Sequence, residues 1–421
     1  MKPAITDPRA ISNSPAALDR PAKTLLLVNA LNALGNALSN IFINVYWYKL
    51  TNEMSQTLLF NLASYLVWLP AFMLAGWMSK RVNRTKPLWI GSMVQMLFYV
   101  AVLLLGSKSP QYLLPLGLMY GIGQGFYWTS MNVLSVDVTE AGNRNWFNGI
   151  NGAAGALTGM AGPLIAGALV ESLPAMAGYA AVFLASLLCF ALSLGAALLL
   201  PKQSAAASVF EWRSLLGVLH HREWRYLSCA FAGVAFRDGV LAIAIWLWVF
   251  LATGSENATG RFAFATTLLS VASFYLIGRF GRERYRWRYL VLGAMLMGVS
   301  LLGITVHLAA WTLALYGVIS AVARPFFDTP FNTLTFNAVS RWDQGGRLRI
   351  ELMVWREMAL SIGRITGIAL LYMIYRRGAE GLEASLSWFL VAVIAVGLLP
   401  LIFIRRATEA QEVNKGEKAG H

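Results

Sequence analysis

Apolar residues in this chain come in long runs rather than in alternation. From Thr24 to Ile404 they form stretches of about 20 residues, separated by short segments of Pro, Gly, Asn and charged residues. At 1.5 Å per residue, about 20 helical residues cross the roughly 30 Å hydrocarbon core of a bilayer. The runs predict twelve spans, at 24–49, 56–79, 86–106, 111–134, 147–170, 177–200, 225–252, 258–280, 287–307, 310–336, 350–375 and 384–404. The expected fold class is therefore an all-α integral membrane protein. Composition agrees, with 57% hydrophobic and 13% charged residues in 421, where soluble domains carry about 25% charged. Residues 1–23 are polar and contain proline, without the apolar centre of a signal peptide, and read as a cytoplasmic tail.

An even number of spans returns both chain ends to one face. Most of the 34 Lys and Arg fall in tails and loops on that face, which the positive-inside rule makes cytoplasmic. The net charge of +14 is thus a topology signal, and no nucleic acid partner is expected. Cys189 and Cys229 both lie in apolar spans, so no disulfide framework, metal site or cofactor is expected. The stretch Glu211–Arg225 links two groups of spans, either in solvent or along the membrane interface.

The chain repeats itself. FYWTSMNVLS at Phe126–Ser135 aligns without gaps to FFDTPFNTLT at Phe326–Thr335, and GWMSKRVNRTKPLWIG at Gly76–Gly91 aligns to GRFGRERYRWRYLVLG at Gly278–Gly293. The offsets are 200 and 202, and the second match pairs Lys80, Arg84 and Lys86 with Arg282, Arg286 and Arg288. Two six-helix halves of parallel topology follow. The expected layout is a tail at 1–23, a bundle at 24–200, a linker at 201–224, a second bundle at 225–404 and a tail at 405–421.

Polar residues inside the spans are the candidates for function. Asn29, Asn32, Asn36, Asn40 and Asn44 recur every three or four residues, which places them within an arc of roughly 120° on one helix face. They can bond neighbouring helices or line a watery path; five on one face favours the path. Phe126, Tyr127 and Trp128 add aromatic surface, while Tyr46, Trp47 and Tyr48 read as an interfacial belt. Charges within spans are costly and mark sites by default. Seven clear cases lie away from the span ends: Arg237, Asp238, Arg324, Asp328, Arg356, Glu357 and Arg364, all in the second half. Arg237 and Asp238 lie roughly 18 Å into their span. Four Arg face three carboxylates, so one Arg is left over; plausible pairs are Asp328 with Arg356 and Glu357 with Arg324. A network of salt bridges locking spans 7, 10 and 11 is the structural alternative. The repeat maps Asp328 to Trp128 and Asp238 to Asn36, so one half reads polar and aromatic and the other charged. Glu351, at a span edge, reads as solvated. Asn132 and Asn332 match under the repeat and read as bonding a neighbouring helix.

Six plus six spans with a basic loop after span 2 resembles the major facilitator superfamily over about residues 24–404. Gly76, Arg81 and Arg84 match that family's loop; Lys80 stands where the family has an aspartate and Asn83 where it has a glycine. The resemblance makes Gly76, Lys80, Arg81 and Arg84 a cytoplasmic gate, without its usual acid. TGMAGPLIAG at Thr158–Gly167 resembles the glycine-proline motif of the antiporter branches through Gly162, Pro163 and Gly167. The stripe Gly149, Gly152, Gly155, Gly159 and Gly162 also allows close helix packing. FNGINGAAG at Phe147 and WREMALSIGRITG at Trp355 resemble the YqgE-like transporters of this superfamily.

The resemblance implies a secondary active transporter working by alternating access, and the leftover arginine points to a small polar solute that is anionic or partly anionic. Its cavity residues would be Asn32, Asn36, Asn40, Tyr127, Trp128, Arg324 and Arg364, and its charge network or proton-coupling residues Arg237, Asp238, Asp328, Arg356 and Glu357. A drug/proton antiporter is the alternative, and a non-transporting sensor on the same scaffold a third reading. An enzyme is disfavoured: His220 and His221 lack a partner acid at fixed spacing, His307 is isolated, and GIGQG at Gly121–Gly125 lies inside a span. The expected partners are a small molecule, protons and the lipid bilayer, with the chain a monomer. The expected location is a bacterial inner membrane, with both termini cytoplasmic. Asn257-Ala258-Thr259 reads as a sequon on an external loop.

Overall fold

The computed structural model describes residues 18–140, 143–174, 176–201, 217, 220–343, 348–378 and 381–419. The expected tail up to residue 17 and most of the 201–224 linker lie outside them. Among the described residues the chain forms twelve long helices: α1 (Arg20–Thr51), α2 (Met54–Arg81), α3 (Lys86–Leu105), α4 (Leu113–Asp137), α5 (Arg144–Ser172), α6 (Ala177–Leu198), α7 (Arg222–Thr253), α8 (Glu256–Phe280), α9 (Arg286–Val306), α10 (Ala310–Trp342), α11 (Arg349–Arg376) and α12 (Leu382–Ala419). Eleven continuous helical stretches are long and apolar enough to cross a membrane. One of them, Lys86–Asp137, runs through α3, a 3-10 turn at Gly106–Tyr112 and α4. The chain doubles back there, because Gly91 on α3 lies against the backbone of Tyr127 on α4. Twelve crossings result. Within the expected C-terminal tail the described residues continue α12 as helix to Ala419.

The repeat is visible in detail. Helices α1 to α6 pack as α1–α5, α1–α6, α2–α4, α3–α4 and α3–α6, and α7 to α12 form the corresponding five pairs. A Cβ at Gly91 would sit 2.6 Å from the Tyr127 nitrogen and 3.0 Å from the Gly123 carbonyl oxygen; at Gly293 it would sit 2.6 Å from the Phe327 nitrogen and 2.9 Å from the Ala323 oxygen. The two crossings therefore use glycine in the same way, letting backbones touch where a side chain has no room. Helix ends repeat as well. α1 stops at Asn52, with φ 55°, whose N–H donates to Tyr48 O, and α7 stops at Gly254, with φ 66°, whose N–H donates to Phe250 O. Thr51 and Thr253 return their hydroxyls to Trp47 O and Val249 O. Proline inside α2, α5, α10 and α12 is tolerated because neighbouring helices shield the interrupted backbone.

The two halves meet mainly through α2–α11 and α5–α8, the pairs exchanged by the repeat. With twelve crossings, the start of α1 and the end of α12 lie at one face, here the terminal face. The glycine stripe of α5 packs closely only toward the opposite face. A Cβ at Gly162 would strike Ala37 at 2.6 Å and at Gly167 the Glu256 carbonyl oxygen at 2.7 Å, whereas Gly149, Gly152 and Gly155 face open space. The stripe is thus a contact for half its length, not throughout. Tyr46 and Trp47 are core residues, buried against Tyr179, Phe183 and Phe60, so they do not form a lipid-facing belt. The sequon Asn257-Ala258-Thr259 lies in the first turn of α8, packed on Gly167, rather than on a loop.

Candidate functional site

Each half walls a polar cavity, and the two cavities share three corresponding helices, α1, α2 and α4 in one and α7, α8 and α10 in the other. In the first half, α1, α2, α4 and α5 enclose about 400 Å³. The asparagine ladder forms one wall, and most of it is already bonded. Asn29 Nδ2 donates to Asn151 Oδ1 at 2.6 Å, while its Oδ1 accepts from the Tyr127 hydroxyl at 2.9 Å. Asn32 Nδ2 donates to Gln95 Oε1 at 2.6 Å. Asn36 Nδ2 donates to both Asn32 oxygens, at 2.8 and 3.0 Å, and its Oδ1 accepts from Gln124 Nε2 at 2.8 Å and Tyr120 OH at 3.5 Å. An amide has two donor protons and two acceptor positions, so Asn36 is full. Asn44 accepts from Asn61 Nδ2 at 2.6 Å. Asn40 differs: it is exposed to the cavity and its side chain bonds to no described residue. The ladder is thus mostly a set of side-chain bonds, the alternative to the favoured watery path, and only Asn40 presents a free amide on the wall. Trp128 lines the cavity and donates to Gln124 Oε1 at 3.1 Å. Tyr127, expected to line it, is fully buried behind Asn29. The side chains of Asn132 and Asn332 are exposed and bond to no described residue, contrary to the reading that they brace a neighbouring helix.

In the second half, α7, α8, α9 and α10 enclose about 280 Å³, lined by Arg237, Asp238 and Arg324 together with Trp246, Phe262 and Tyr316. Asp238 accepts from Arg237 Nε at 2.9 Å and from Arg324 Nη2 at 3.3 Å. Arg324 Nε also donates to Asp328 at 3.2 Å. The Arg324 side chain is 53% exposed, the Arg237 side chain only 4%. Glu357 accepts from Arg364 Nη1 at 2.7 Å. The pairs expected from the sequence, Asp328 with Arg356 and Glu357 with Arg324, do not form. Arg324 and Asp328 are one turn apart on one face of α10, and Glu357 and Arg364 two turns apart on one face of α11, so each pair closes within its own helix. Arg356 is the arginine left over: it has no ion pair among the described residues, its Nε is buried without a partner, and its guanidinium lies 5.8 Å from the Phe231 ring centre. Arg364 lies over Tyr65 and Trp68 at 5.6 and 5.7 Å. Both rings line the first cavity, so Arg364 joins the two halves across α2–α11.

The offset of 200 that carries Asp328 to Trp128 also carries Arg324 to Gln124. The chain Trp128–Gln124–Asn36 in one half therefore corresponds to Asp328–Arg324–Asp238 in the other, with the same members touching. Gln124 was readable from the repeat and was missed, as were Asn61, Asn151 and the Tyr65–Trp68 wall.

Ion pairs also join the halves at both faces. At the terminal face Lys80 Nζ meets Glu351 Oε1 at 2.6 Å, with side chains only 6% and 1% exposed. The family's acid is absent from α2, but Glu351 on α11 pairs with the lysine that stands in its place, so a charge pair still joins the halves here. Glu351 is accordingly buried, not solvated. Arg84 pairs with Asp137 and fastens the α2–α3 turn to α4. Asn83 Oδ1 accepts the Thr85 N–H at 2.8 Å, which gives the side chain at this usual glycine position a use. Arg81 lies over Trp77, and Gly76 is buried within α2. At the opposite face Lys49 pairs with Glu256, which also accepts from the Tyr179 hydroxyl at 2.8 Å.

Two parallel six-helix bundles around central polar cavities define a helical membrane transporter. The Major Facilitator Superfamily pattern matches residues 25–342, and the chain belongs to that family. It is 32% identical over 380 residues to the uncharacterized protein YqgE of Bacillus subtilis (strain 168), covering 90% of this chain and 87% of that one. It is 40% identical over 168 residues to an uncharacterized protein in the sodM 3' region of Geobacillus stearothermophilus, covering 40% of this chain and 78% of that one. Among solved structures it is similar to the peptide transporter POT in complex with sulfate, with a TM-score of 0.71 and 12% identity over 93% of this chain and 95% of that one. A bacterial homologue of the human lysosomal transporter Spinster, inward-facing and unoccupied, gives a TM-score of 0.69 and 16% identity over 93% and 97%. The chain is a multi-pass membrane protein of a transporter family.

Proposed function

We propose that this transporter moves a small polar solute bearing an anionic group, by rocking its halves about the two central cavities. The observation that carries the reading is Arg324, a half-exposed arginine inside the membrane that splits its bonds between Asp238 and Asp328 at 3.2–3.3 Å. Charge-assisted bonds are ordinarily about 2.7–2.9 Å, so these are loose and an anionic group can replace them. Turning Arg324 to the solute leaves its carboxylates undercompensated. Either a proton or a cationic group then has to answer them. Asn40 and Trp128 face the solute from the other half. Lys80–Glu351 and Lys49–Glu256 act as gates that open alternately. Both chain ends are cytoplasmic in this scheme, and the membrane is a bacterial inner membrane.

Flux into proteoliposomes tests the proposal. Arg324→Gln and Arg364→Gln are each expected to abolish uptake of a solute carried by the wild type, with folding checked by size-exclusion profile. Full transport by both variants overturns it. The aromatic walls of Trp246, Phe262 and Tyr316 favour a second reading, export of amphiphilic compounds. Lipophilic-cation flux unaffected by Arg324→Gln is the result that selects it.

A further inference from the structure

We infer that the solute is a zwitterion, bound at the α7–α8–α10 cavity with its anionic group on Arg324 and its cationic group on Asp238; the inference rests on the transporter reading of this site. Three observations carry it. First, both signs of charge line one cavity: Arg237, Asp238 and Arg324 all face the same 280 Å³. Second, the connected cluster is balanced. Arg237 and Arg324 stand against Asp238 and Asp328, and the arginine left over in the membrane, Arg356, bonds to none of them. A purely anionic solute would therefore enter a neutral cluster and strip a carboxylate of its partner. Asp238 and Asp328 are only 30% and 22% exposed, and a carboxylate so largely covered is costly to leave without its partner. A purely cationic solute makes the mirror-image error. A solute carrying both charges replaces each bond it breaks.

Third, the members the solute must displace are the loosest in the network. Arg324 holds its carboxylates at 3.2 and 3.3 Å, against 2.9 Å for Arg237–Asp238 and 2.7 Å for Arg364–Glu357. Asp238 is itself 30% exposed, so a cation reaches it directly. A protonation response needs no carboxylate on the cavity wall, and here one stands on it. The cavity is at the lower end of ligand-site volumes, which begin at about 300 Å³, so the solute is of amino-acid or short-peptide size. Trp246, Phe262 and Tyr316 take its apolar part. The corresponding cavity in the other half offers neutral amides, so both charges are met in the second half.

The test is a matched series of probes on the full-length, detergent-purified protein: alanine, phenylalanine and dialanine, each also as its C-terminal amide and its N-acetyl derivative. Binding is read by calorimetry and by thermal shift. At least one zwitterion is expected to bind, with its amide and its N-acetyl form at least tenfold weaker. In Asp238→Asn the preference is expected to turn toward the N-acetyl anion, a reversal that mere misfolding cannot produce. An N-acetyl form binding as tightly as its parent to the wild type, or no zwitterion binding at all, overturns the inference. Counterflow in proteoliposomes separates this from failure of the transporter reading. Flux of an anion without zwitterion binding overturns only the inference. Zwitterion binding without flux of any probe overturns the transporter reading and leaves the site standing.

Discussion

The two cavities share one scaffold and differ in charge. Trp128, Gln124 and Asn36 touch in one half as Asp328, Arg324 and Asp238 touch in the other, on corresponding helices. The backbone geometry at the flanking crossings is the same, with Gly91 and Gly293 each pressed on the next helix's backbone nitrogen. The fold therefore does not require charge at these positions. The neutral half demonstrates that amide and indole groups suffice to hold them. What the charged half adds is a cluster able to exchange partners, while the amide half is for the most part saturated and stays put.

Four sets of substitutions break or sharpen that comparison. The largest effect is expected from moving one charge into the neutral half. Gln124→Arg alone should destabilise by about 3–5 kcal/mol, since it sets an uncompensated cation beside Asn36. Adding Asn36→Asp should recover at least half of that in an SDS-unfolding titration; no recovery means that the two triads are not equivalent. Next is the contact between halves. Glu351→Gln should also cost about 3–5 kcal/mol by removing the buried acid that faces Lys80. The reversed double variant, Lys80→Glu with Glu351→Lys, should regain most of it, and a double no better than the single denies the latch. Smaller and equal effects are expected from Gly91→Ala and Gly293→Ala, about 1–3 kcal/mol each from overpacking. A difference of more than about 1 kcal/mol between them would break the symmetry at this crossing. The smallest concern the ladder. Asn36→Ala should cost about 1–2 kcal/mol through its lost bonds, while Asn40→Ala should leave stability within about 0.5 kcal/mol and weaken solute binding.

Much of this was legible in the sequence because it depends on period and offset. Run length gave the spans, and the 200–202 offset gave the halves. It extended to helix ends that looked unrelated, since Asn52 and Gly254 are different residues chosen for the same left-handed turn. Ion pairing was not legible. Arg324 and Asp328 pair along one face of α10, where the expected partners lie on another helix. Glu351 looked solvated because an acid at a span end ordinarily is, and its partner Lys80 is 271 residues away. Tyr46 and Trp47 looked interfacial for the same reason; only the arrival of α6 and its Tyr179 and Phe183 makes that end of α1 a core.

The balance of the Arg237–Asp238–Arg324–Asp328 cluster has an electrical consequence. A membrane potential acts on each unit charge that moves through it with about 2.3 kcal/mol per 100 mV. A cluster that sums to zero presents almost no net charge to that field when the second half tilts, so its motion is nearly independent of voltage. Arg364 and Glu357 cancel likewise, and Arg356 alone among the seven intramembrane charges stays uncompensated. With a zwitterion as passenger the loaded protein would turn over without carrying current. Voltage would then act through Arg356 alone, on the equilibrium between the two faces and not on the cargo.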